Sequence, residues 1–192
     1  MFLLLCGKRG SGKSTTAEFM SDIYGYKIIS ASDIINGYII SQNEEITVES
    51  RIFYSEKLIN ESVSGSIFEY AEFNPEDNYV IDAVVHWHDF NYLTSLGQEY
   101  FVLGLTVDED ERFNRIVGRN KQGDPANQQE LNEIENNYMP DVNQILKKAN
   151  CVISNTSNSE ALKHKIIEVI PNQIEDEAED LLWSKNFQLS TN

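Results

Sequence analysis

The residues with the clearest chemical meaning lie near the N-terminus, in the segment GKRGSGKS from Gly7 to Ser14. This segment matches G-x-x-x-x-G-K-[ST] without a mismatch, and it lies between an apolar run, FLLLC, and a helix-like run, STTAEFMSDIYG. Its glycines let successive N–H groups point at a phosphate, while the following helix presents its positive end. Lys13 is expected to reach β- and γ-phosphate oxygens, and Ser14 to offer a hydroxyl to Mg²⁺. The candidate triphosphate-binding residues are Gly7, Arg9, Gly10, Ser11, Gly12, Lys13, Ser14 and Thr15.

A second cluster of positive charge lies further along the chain. Arg112, Arg115 and Arg119 fall within eight residues of a sequence that has five arginines in all. The spacing i, i+3, i+7 places them on one stripe of a helix. A planar guanidinium binds two oxygens at once, so the three are candidates to neutralise charge on a transferring phosphoryl group. The alternative is an exposed helix face, with Arg112 paired to Asp108 or Glu109.

The residues after this stripe, about 119–127, include Gly123 and Pro125. Such residues suit a segment that changes conformation, and the pattern predicts a short lid over bound phosphates. Closure of the lid would keep water from accepting the γ-phosphoryl group.

Two carboxylates follow apolar runs where a bound nucleotide is expected. Asp82 ends the run NYVID, and at the carboxyl end of a strand it is a candidate to hold Mg²⁺, its waters or an acceptor hydroxyl. Asp33 in SASDII is a candidate on the acceptor side. The alternative for Asp33 is a helix N-cap, although Ser30 or Ser32 could also fill that position.

The side chains of His86 and His88 flank Trp87 and would point the same way in extended backbone. Because no third ligand lies nearby, substrate contact or helix capping is favoured over a metal pair. Several aromatic residues between Arg51 and the third strand could stack on an acceptor base, although core packing is their commoner fate.

The elements that carry these residues are predicted by short apolar runs that alternate with longer helix-compatible segments. This alternation predicts an α/β fold with helices on both faces of a parallel sheet. The predicted strands are Phe2–Cys6, Tyr26–Ile29, Tyr79–Ile81, Tyr100–Leu105 and Cys151–Ile153. The predicted helices are Lys13–Tyr24, Ser32–Ile40, Val48–Ser62, His88–Leu96, Glu109–Arg119, Gln128–Ala149 and Ser159–Val169.

Composition limits the partners that this chain can have. Its 192 residues fit one domain, and its net charge of -16 repels polymeric nucleic acid and anionic lipid, so neither is expected to bind. Cys6 and Cys151 lie in apolar runs and are predicted as buried thiols. The sequence has neither a signal-peptide pattern nor an 18-residue apolar span, which favours a cytoplasmic location.

The order of these segments resembles the nucleoside and nucleotide monophosphate kinase group of P-loop kinases. The matching segments are GKRGSGKST, SDII, Arg51, VID, DERFNRIVGR, GDP and ANCVISN, over about residues 1–170. The chain looks most like the adenylate-kinase-like and dephospho-coenzyme A kinase-like members, and it is similar to phage deoxynucleoside monophosphate kinases. Residues 171–192 lie beyond the resemblance and are predicted as an acidic C-terminal helix or tail.

The resemblance implies a three-layer α/β/α fold with a five-stranded parallel sheet in the order 2-3-1-4-5. It places ATP and Mg²⁺ on the phosphate-binding loop, with Ser14 and Asp82 toward the metal, and a monophosphate acceptor across the cleft. Asp33, Arg51 and Asp82 would face the acceptor, and the segment around Asn155 would lie near the donor base. The three arginines of the stripe would lie on the lid side.

Two positions depart from the pattern of this group. Relatives commonly carry Arg shortly after the Asp of the SDII-like motif, where this chain has Asn36, and Arg after the VID-like motif, where it has Val85 and His86. Arg51 would then anchor the acceptor phosphate, with His86, His88 or Arg9 helping.

The sequence predicts ATP-dependent transfer of a phosphoryl group to a nucleoside or deoxynucleoside monophosphate, by a monomer or homodimer. Two alternatives stay open because of the missing arginines. One is a kinase of another small molecule, such as dephospho-coenzyme A, and the other is a nucleotide-binding interaction protein with weak catalysis.

Overall fold

The apolar runs of the sequence form one parallel sheet in the computed structural model, which describes residues 1–119, 124–156 and 158–170. The strands are β1 (Phe2–Cys6), β2 (Lys27–Ser30), β3 (Tyr79–Asp82), β4 (Tyr100–Thr106) and β5 (Cys151–Ser154). Their order is β2-β3-β1-β4-β5, and Leu3 of β1 pairs with Val80 on one side and Phe101 on the other. The predicted fold class and strand order are confirmed.

Helices connect the strands and cover both faces of the sheet. They are α1 (Lys13–Tyr24), α2 (Ala31–Ser41), α3 (Val48–Glu61), α4 (Trp87–Ser95), α5 (Glu109–Arg119), α6 (Gln128–Tyr138), α7 (Val142–Leu146) and α8 (Ser159–Val169), with a 3₁₀ turn at Ile67–Tyr70. Side-chain caps explain several starting points. Ser30 accepts from the Asp33 N–H at the start of α2, and Asn158 accepts from the Ala161 N–H at the start of α8. Ser30, and not Asp33, is therefore the cap of α2.

Strand β1 lies at the centre of two cores. Phe2, Leu4 and Cys6 pack with side chains of α2, α3, α4 and α7, whereas Leu3 and Leu5 pack with α1 and α8. All five residues are fully buried. Burial of each large side chain contributes about 1.5–3 kcal/mol, so the sheet rigidly fixes the loop that follows β1.

The prediction of one continuous helix over Gln128–Ala149 is wrong. The helix ends at Tyr138, and a separate short helix, α7, starts at Val142. Pro140 lies between them, and proline interrupts helical hydrogen bonding and disfavours helical backbone in the residue before it. The break leaves the Asp141 carboxylate where it accepts from the Trp87 N–H at 3.0 Å, at the start of α4.

The two cysteines differ in burial. Cys6 is fully buried, as predicted, but Cys151 is only partly buried because it occupies the first position of strand β5 at the sheet margin. Both are free thiols. Burial raises the pKa of the Cys6 thiol to about 12, which keeps it protonated and unreactive.

Part of the predicted lid, 120–123, and the predicted acidic tail, 171–192, lie outside the described residues. Among the helices that the structure describes, none is long and apolar enough to cross a membrane.

Candidate functional site

The carboxyl ends of β1 and β3 open into a cavity of about 570 Å³. Its wall is formed by the phosphate-binding loop, α2, α3, the start of α4, and α5. In parallel α/β sheets ligands bind at this end of the strands, where neighbouring connections run to opposite faces. The cavity is large enough for a nucleotide-sized ligand.

The phosphate-binding loop is held against the rest of the fold at two glycines. Gly12 has φ +101°, and a Cβ on it would lie 2.4 Å from Nδ2 of Asn155. Gly10 has φ +76°, and a Cβ there would lie 2.8 Å from the Arg112 carbonyl oxygen. Both positions require glycine because a side chain would be strained and would also collide. Asn155 Nδ2 donates to the Ser11 carbonyl at 2.9 Å, which fixes the loop from the β5 side.

Lys13 lies under the loop and is only 8% exposed. Its ammonium donates to the backbone carbonyls of Gly7 at 2.8 Å and Lys8 at 3.0 Å. Burial lowers the pKa of Lys13, and the nearby Asp82 carboxylate opposes that shift. A buried cation held mainly by neutral carbonyls is stabilised by an incoming anion, so the loop is suited to a phosphate.

Ser14 and Asp82 meet at the mouth of the loop. Ser14 Oγ donates to Asp82 Oδ2 at 2.8 Å, and the Asp82 residue is 8% exposed. The other carboxylate oxygen, Oδ1, is buried and has no hydrogen-bond partner among the described residues. Mg²⁺ prefers oxygen ligands and usually takes one or two carboxylates or hydroxyls together with water and substrate phosphates. The two side chains therefore fit a magnesium ion brought in with a nucleotide.

A strained residue positions Asp82. Ala83, directly after it, has φ +72°, which is the left-handed region. The turn lets the Val84 N–H donate to the Leu5 carbonyl at 3.0 Å, so the chain leaves β3 and folds back onto β1. Left-handed backbone costs a non-glycine residue roughly 1–2 kcal/mol, and such strain is found at functional sites.

Positive charge gathers around one carboxylate in the cavity. Arg119 donates to both oxygens of Asp124, at 2.7 and 2.8 Å, and Arg9 lies 3.9 Å from the same carboxylate. Burial lowers the pKa of Arg51, a shift that Asp124 opposes and Arg119 reinforces. All four side chains line the cavity, and the Asp124 side chain is 8% exposed. Two guanidiniums, those of Arg119 and Arg9, thus pair with the Asp124 carboxylate, and Arg51 lines the same cavity.

The three arginines of the α5 stripe have different environments. Arg115 lines the cavity, where it donates to the Asn155 carbonyl at 2.9 Å and pairs with Glu111. Arg112 is 3% exposed and does not line this cavity. It forms a two-point ion pair with Glu135 of α6 and donates to the Arg9 carbonyl at 3.1 Å. Arg112 therefore joins α5, α6 and the phosphate-binding loop.

The predicted acceptor residues are only partly brought together. Arg51 lines the cavity and donates through Nε to Oδ1 of Asn36 at 2.9 Å. Asn36 stands where relatives commonly carry an arginine, and here it orients the guanidinium of Arg51. His86 lines the cavity at the start of α4. Asp33 is exposed and does not line the cavity. None of the aromatic residues between Arg51 and β3 lines it either.

Three carboxylates at or beside the site were not predicted from the sequence: Asp89, Asp124 and Glu135. Asp124 lies within the predicted lid, directly after Gly123, so its position was a usable signal. Glu135 pairs with Arg112, which lies 23 residues away in the sequence, and no local sequence pattern predicts that contact. Asp89 follows the HWH segment in the sequence, but only the fold shows that it is buried.

The family comparison agrees with this geometry. A family model described as an AAA domain, AAA_18, matches residues 3–136. UMP-CMP kinase 3 of Arabidopsis thaliana is 27% identical over 124 residues, which cover 62% of this chain and 61% of that relative. The chain thus spans about three fifths of the length of this curated relative.

Solved structures share the same architecture over nearly the whole chain. A gluconokinase from Sinorhizobium meliloti 1021 superposes with a TM-score of 0.55 at 14% identity, covering 95% of both chains. Shikimate kinase from Acinetobacter baumannii superposes with a TM-score of 0.53 at 16% identity, covering 87% of this chain and 90% of the other. At these identities the likeness concerns the fold, which is that of P-loop kinases.

Proposed function

Because this chain belongs to the AAA_18 family of AAA domains, we propose that it is an ATP-dependent phosphotransferase whose acceptor is a nucleoside or deoxynucleoside monophosphate. The observation that carries the proposal is one cavity with two anion-binding ends. The buried ammonium of Lys13 and the Ser14–Asp82 pair lie at one end, Arg9 and Arg119 pair with Asp124 in the wall, and Arg51 lines the wall from α3. A donor triphosphate and an acceptor phosphate need two such clusters.

At the donor end, the loop amides and Lys13 would hold the β- and γ-phosphates. The ammonium already lies beneath the loop, bonded to the carbonyls of Gly7 and Lys8, so it needs little reorganisation. Ser14 and Asp82 would hold Mg²⁺ through their oxygens. When bound there, the ion would neutralise part of the charge that develops on the donor phosphates.

At the transfer point, guanidiniums would replace water around the moving phosphoryl group. Arg119 and Arg9 are held at the cavity wall by Asp124, and Arg115 is held by the Asn155 carbonyl. A side chain that is already oriented loses little entropy when it binds the transition state. Transfer needs donor and acceptor oxygens in line, and the shared cavity allows this arrangement.

At the acceptor end, Arg51 supplies the positive charge that the two missing family arginines would otherwise provide. Its Nε donates to Asn36, which orients the guanidinium in the cavity wall. His86 adds a second polar group to the same wall. We further propose a cytoplasmic protein, a monomer or homodimer, that acts on small molecules and not on nucleic acid polymers, in keeping with the net charge of -16.

The test is a coupled assay of ADP release with MgATP across CMP, UMP, AMP, GMP, their deoxy forms, dephospho-coenzyme A, gluconate and shikimate. We expect at least one nucleoside monophosphate to exceed every other acceptor in kcat/KM. Arg51→Ala should raise the KM of that acceptor by about tenfold or more, because a charged hydrogen bond contributes about 1.5–3 kcal/mol.

The matched control is Arg51→Lys, which retains charge but not the two-point geometry, and which should show an intermediate KM. A better rate with dephospho-coenzyme A, gluconate or shikimate would reject the proposed acceptor class. Slow ATP hydrolysis with no transfer to any acceptor would favour a nucleotide-binding interaction protein.

A further inference from the structure

A buried carboxylate with no role in the mechanism above lies in the cavity wall. Asp89, in the first turn of α4, is 1% exposed, yet it lines the cavity. Its Oδ1 accepts two hydrogen bonds, from Ser66 Oγ at 2.7 Å and from the Ile67 N–H at 3.1 Å. These donors occupy one oxygen and fix the orientation of the whole group.

The second oxygen, Oδ2, accepts no hydrogen bond from the part of the chain that the structure describes. Ion pairing does not relieve it either, since no lysine, arginine or histidine among the described residues lies within ion-pair distance. Burial raises the pKa of Asp89, a shift that Ser66 and His86 oppose. The Oδ2 oxygen opens to the cavity that Asp89 lines, so a ligand that enters the cavity and donates a hydrogen bond to it gains affinity.

The surroundings of Asp89 fit a planar heterocycle. Ile35, Ile52, Ile67 and Val85 line the same cavity and supply apolar surface. Arg51 lies in that wall as the proposed anchor of the acceptor phosphate. A cavity with apolar walls and a few fixed polar groups is the usual form of a site for a small organic ligand such as a base.

Resting on the proposed function, we propose that Asp89 is a specificity residue that selects an acceptor base carrying an exocyclic amino group. A carboxylate oxygen accepts from the N4 amino group of cytosine or the N6 amino group of adenine. In uracil and hypoxanthine, the same position holds a carbonyl oxygen, which a carboxylate repels. Because Oδ1 is already doubly occupied, Asp89 offers one acceptor, and this suits a single amino group better than the paired donors of guanine.

The wild-type protein gives the first test, with pairs of nucleotides that differ only in amino against carbonyl. We expect kcat/KM for CMP over UMP, and for AMP over IMP, to favour the amino form by about tenfold or more. Binding of CMP and UMP is measured by calorimetry alongside turnover, so that recognition is scored even where transfer is slow.

The second test is Asp89→Asn, which is isosteric. Its Oδ1 can still accept from Ser66 and Ile67, while its amide nitrogen places a donor where Oδ2 was. The CMP over UMP ratio should fall by about tenfold or more and move toward UMP. The control is Asp22→Asn, the same charge change at an exposed position of α1, which should leave both ratios unchanged.

The outcomes separate the two proposals. Equal losses for CMP and UMP in Asp89→Asn, with nucleotide turnover intact, would overturn the specificity role and leave the kinase assignment standing. A preference of the wild-type protein for UMP over CMP and for IMP over AMP would also overturn the specificity role. This result needs no variant, so the test is decisive even if Asp89→Asn does not fold. If the protein neither binds nor turns over any monophosphate, the proposed function is rejected, and this inference is rejected with it.

Discussion

The two ends of the cavity are built in different ways. The donor end is built on one contiguous loop, Gly7–Ser14, with Asp82 and Asn155 as partners from the ends of β3 and β5. The acceptor end draws on α2, α3, α4 and α5, and its charged side chains are held by one another, as in Arg119 with Asp124 and Arg51 with Asn36. Under the proposed function, local backbone would specify phosphate binding, whereas long-range polar pairs would specify what receives the phosphate. The donor end is expected to tolerate little change, and the acceptor end to change substrate preference readily.

The largest expected effect is at the donor end. Lys13→Ala should lower kcat/KM by about a thousandfold or more, because it removes the charge that is oriented toward the transferring group. The loop should keep its backbone, since within the described residues the Lys13 ammonium bonds to the carbonyls of Gly7 and Lys8 alone. ADP release and circular dichroism measure the two quantities. Lys27→Ala, at an exposed lysine paired with Asp77, is the control and should retain wild-type turnover. Full activity in Lys13→Ala would remove the basis of the functional proposal.

An intermediate effect is expected at Arg112, which joins the phosphate-binding loop to α5 and α6. Arg112→Ala should lower the free energy of unfolding by about 3 kcal/mol, because it leaves the buried Glu135 carboxylate with only Lys8, at 3.2 Å, as a cation. Urea unfolding measures the change. Lys163→Ala breaks an exposed pair with Glu160 and should cause no measurable shift. If Arg112→Ala instead unfolds at the wild-type urea concentration and loses only turnover, Arg112 acts on substrate and the comparison fails.

The smallest effect is expected at Ala83. Ala83→Gly should raise the free energy of unfolding by up to about 1 kcal/mol, since glycine adopts positive φ without strain but loses more backbone entropy on folding. Ala161→Gly in helix α8 is the control with the opposite sign, and it should lower the free energy of unfolding by about 0.5–1 kcal/mol. Thermal unfolding compares the two variants. Destabilisation by Ala83→Gly as large as that by Ala161→Gly would show that no strain is relieved.

Much of the fold follows from short-range pattern. The apolar runs predict the five strands within a residue or two, because a strand buried on both faces must be continuously apolar. The strand order came from the family resemblance and is confirmed. The helix predicted over Gln128–Ala149 was wrong at Pro140, where the chain gains a contact between Asp141 and Trp87 that helical periodicity does not encode.

The candidate site divides along the same line. Lys13 and Ser14 could be picked out from sequence because the loop around them is contiguous. Asp82 could be placed at the end of a strand, but the pairing of β1 with β3 brings it to Ser14. The stripe of arginines could be placed on one helix, yet the sequence could not separate Arg112, which is buried against Glu135, from Arg115 and Arg119, which line the cavity. Asp89 and Asp124 become candidate site residues because they are buried in the cavity wall, and their burial depends on residues far away in the chain.

By itself, the amino-acid sequence determined the phosphate-binding loop, the parallel sheet and the overall charge, since each depends on residue type and on spacing along a few neighbouring positions. The tertiary structure decided which arginines face the cavity and which carboxylate is left with an unused oxygen. The physical reason is that a charge buried in a protein takes its energy from the groups around it in space. The folded chain brings such groups together from 23 residues away in Arg112 and Glu135, and from 68 residues away in Ser14 and Asp82.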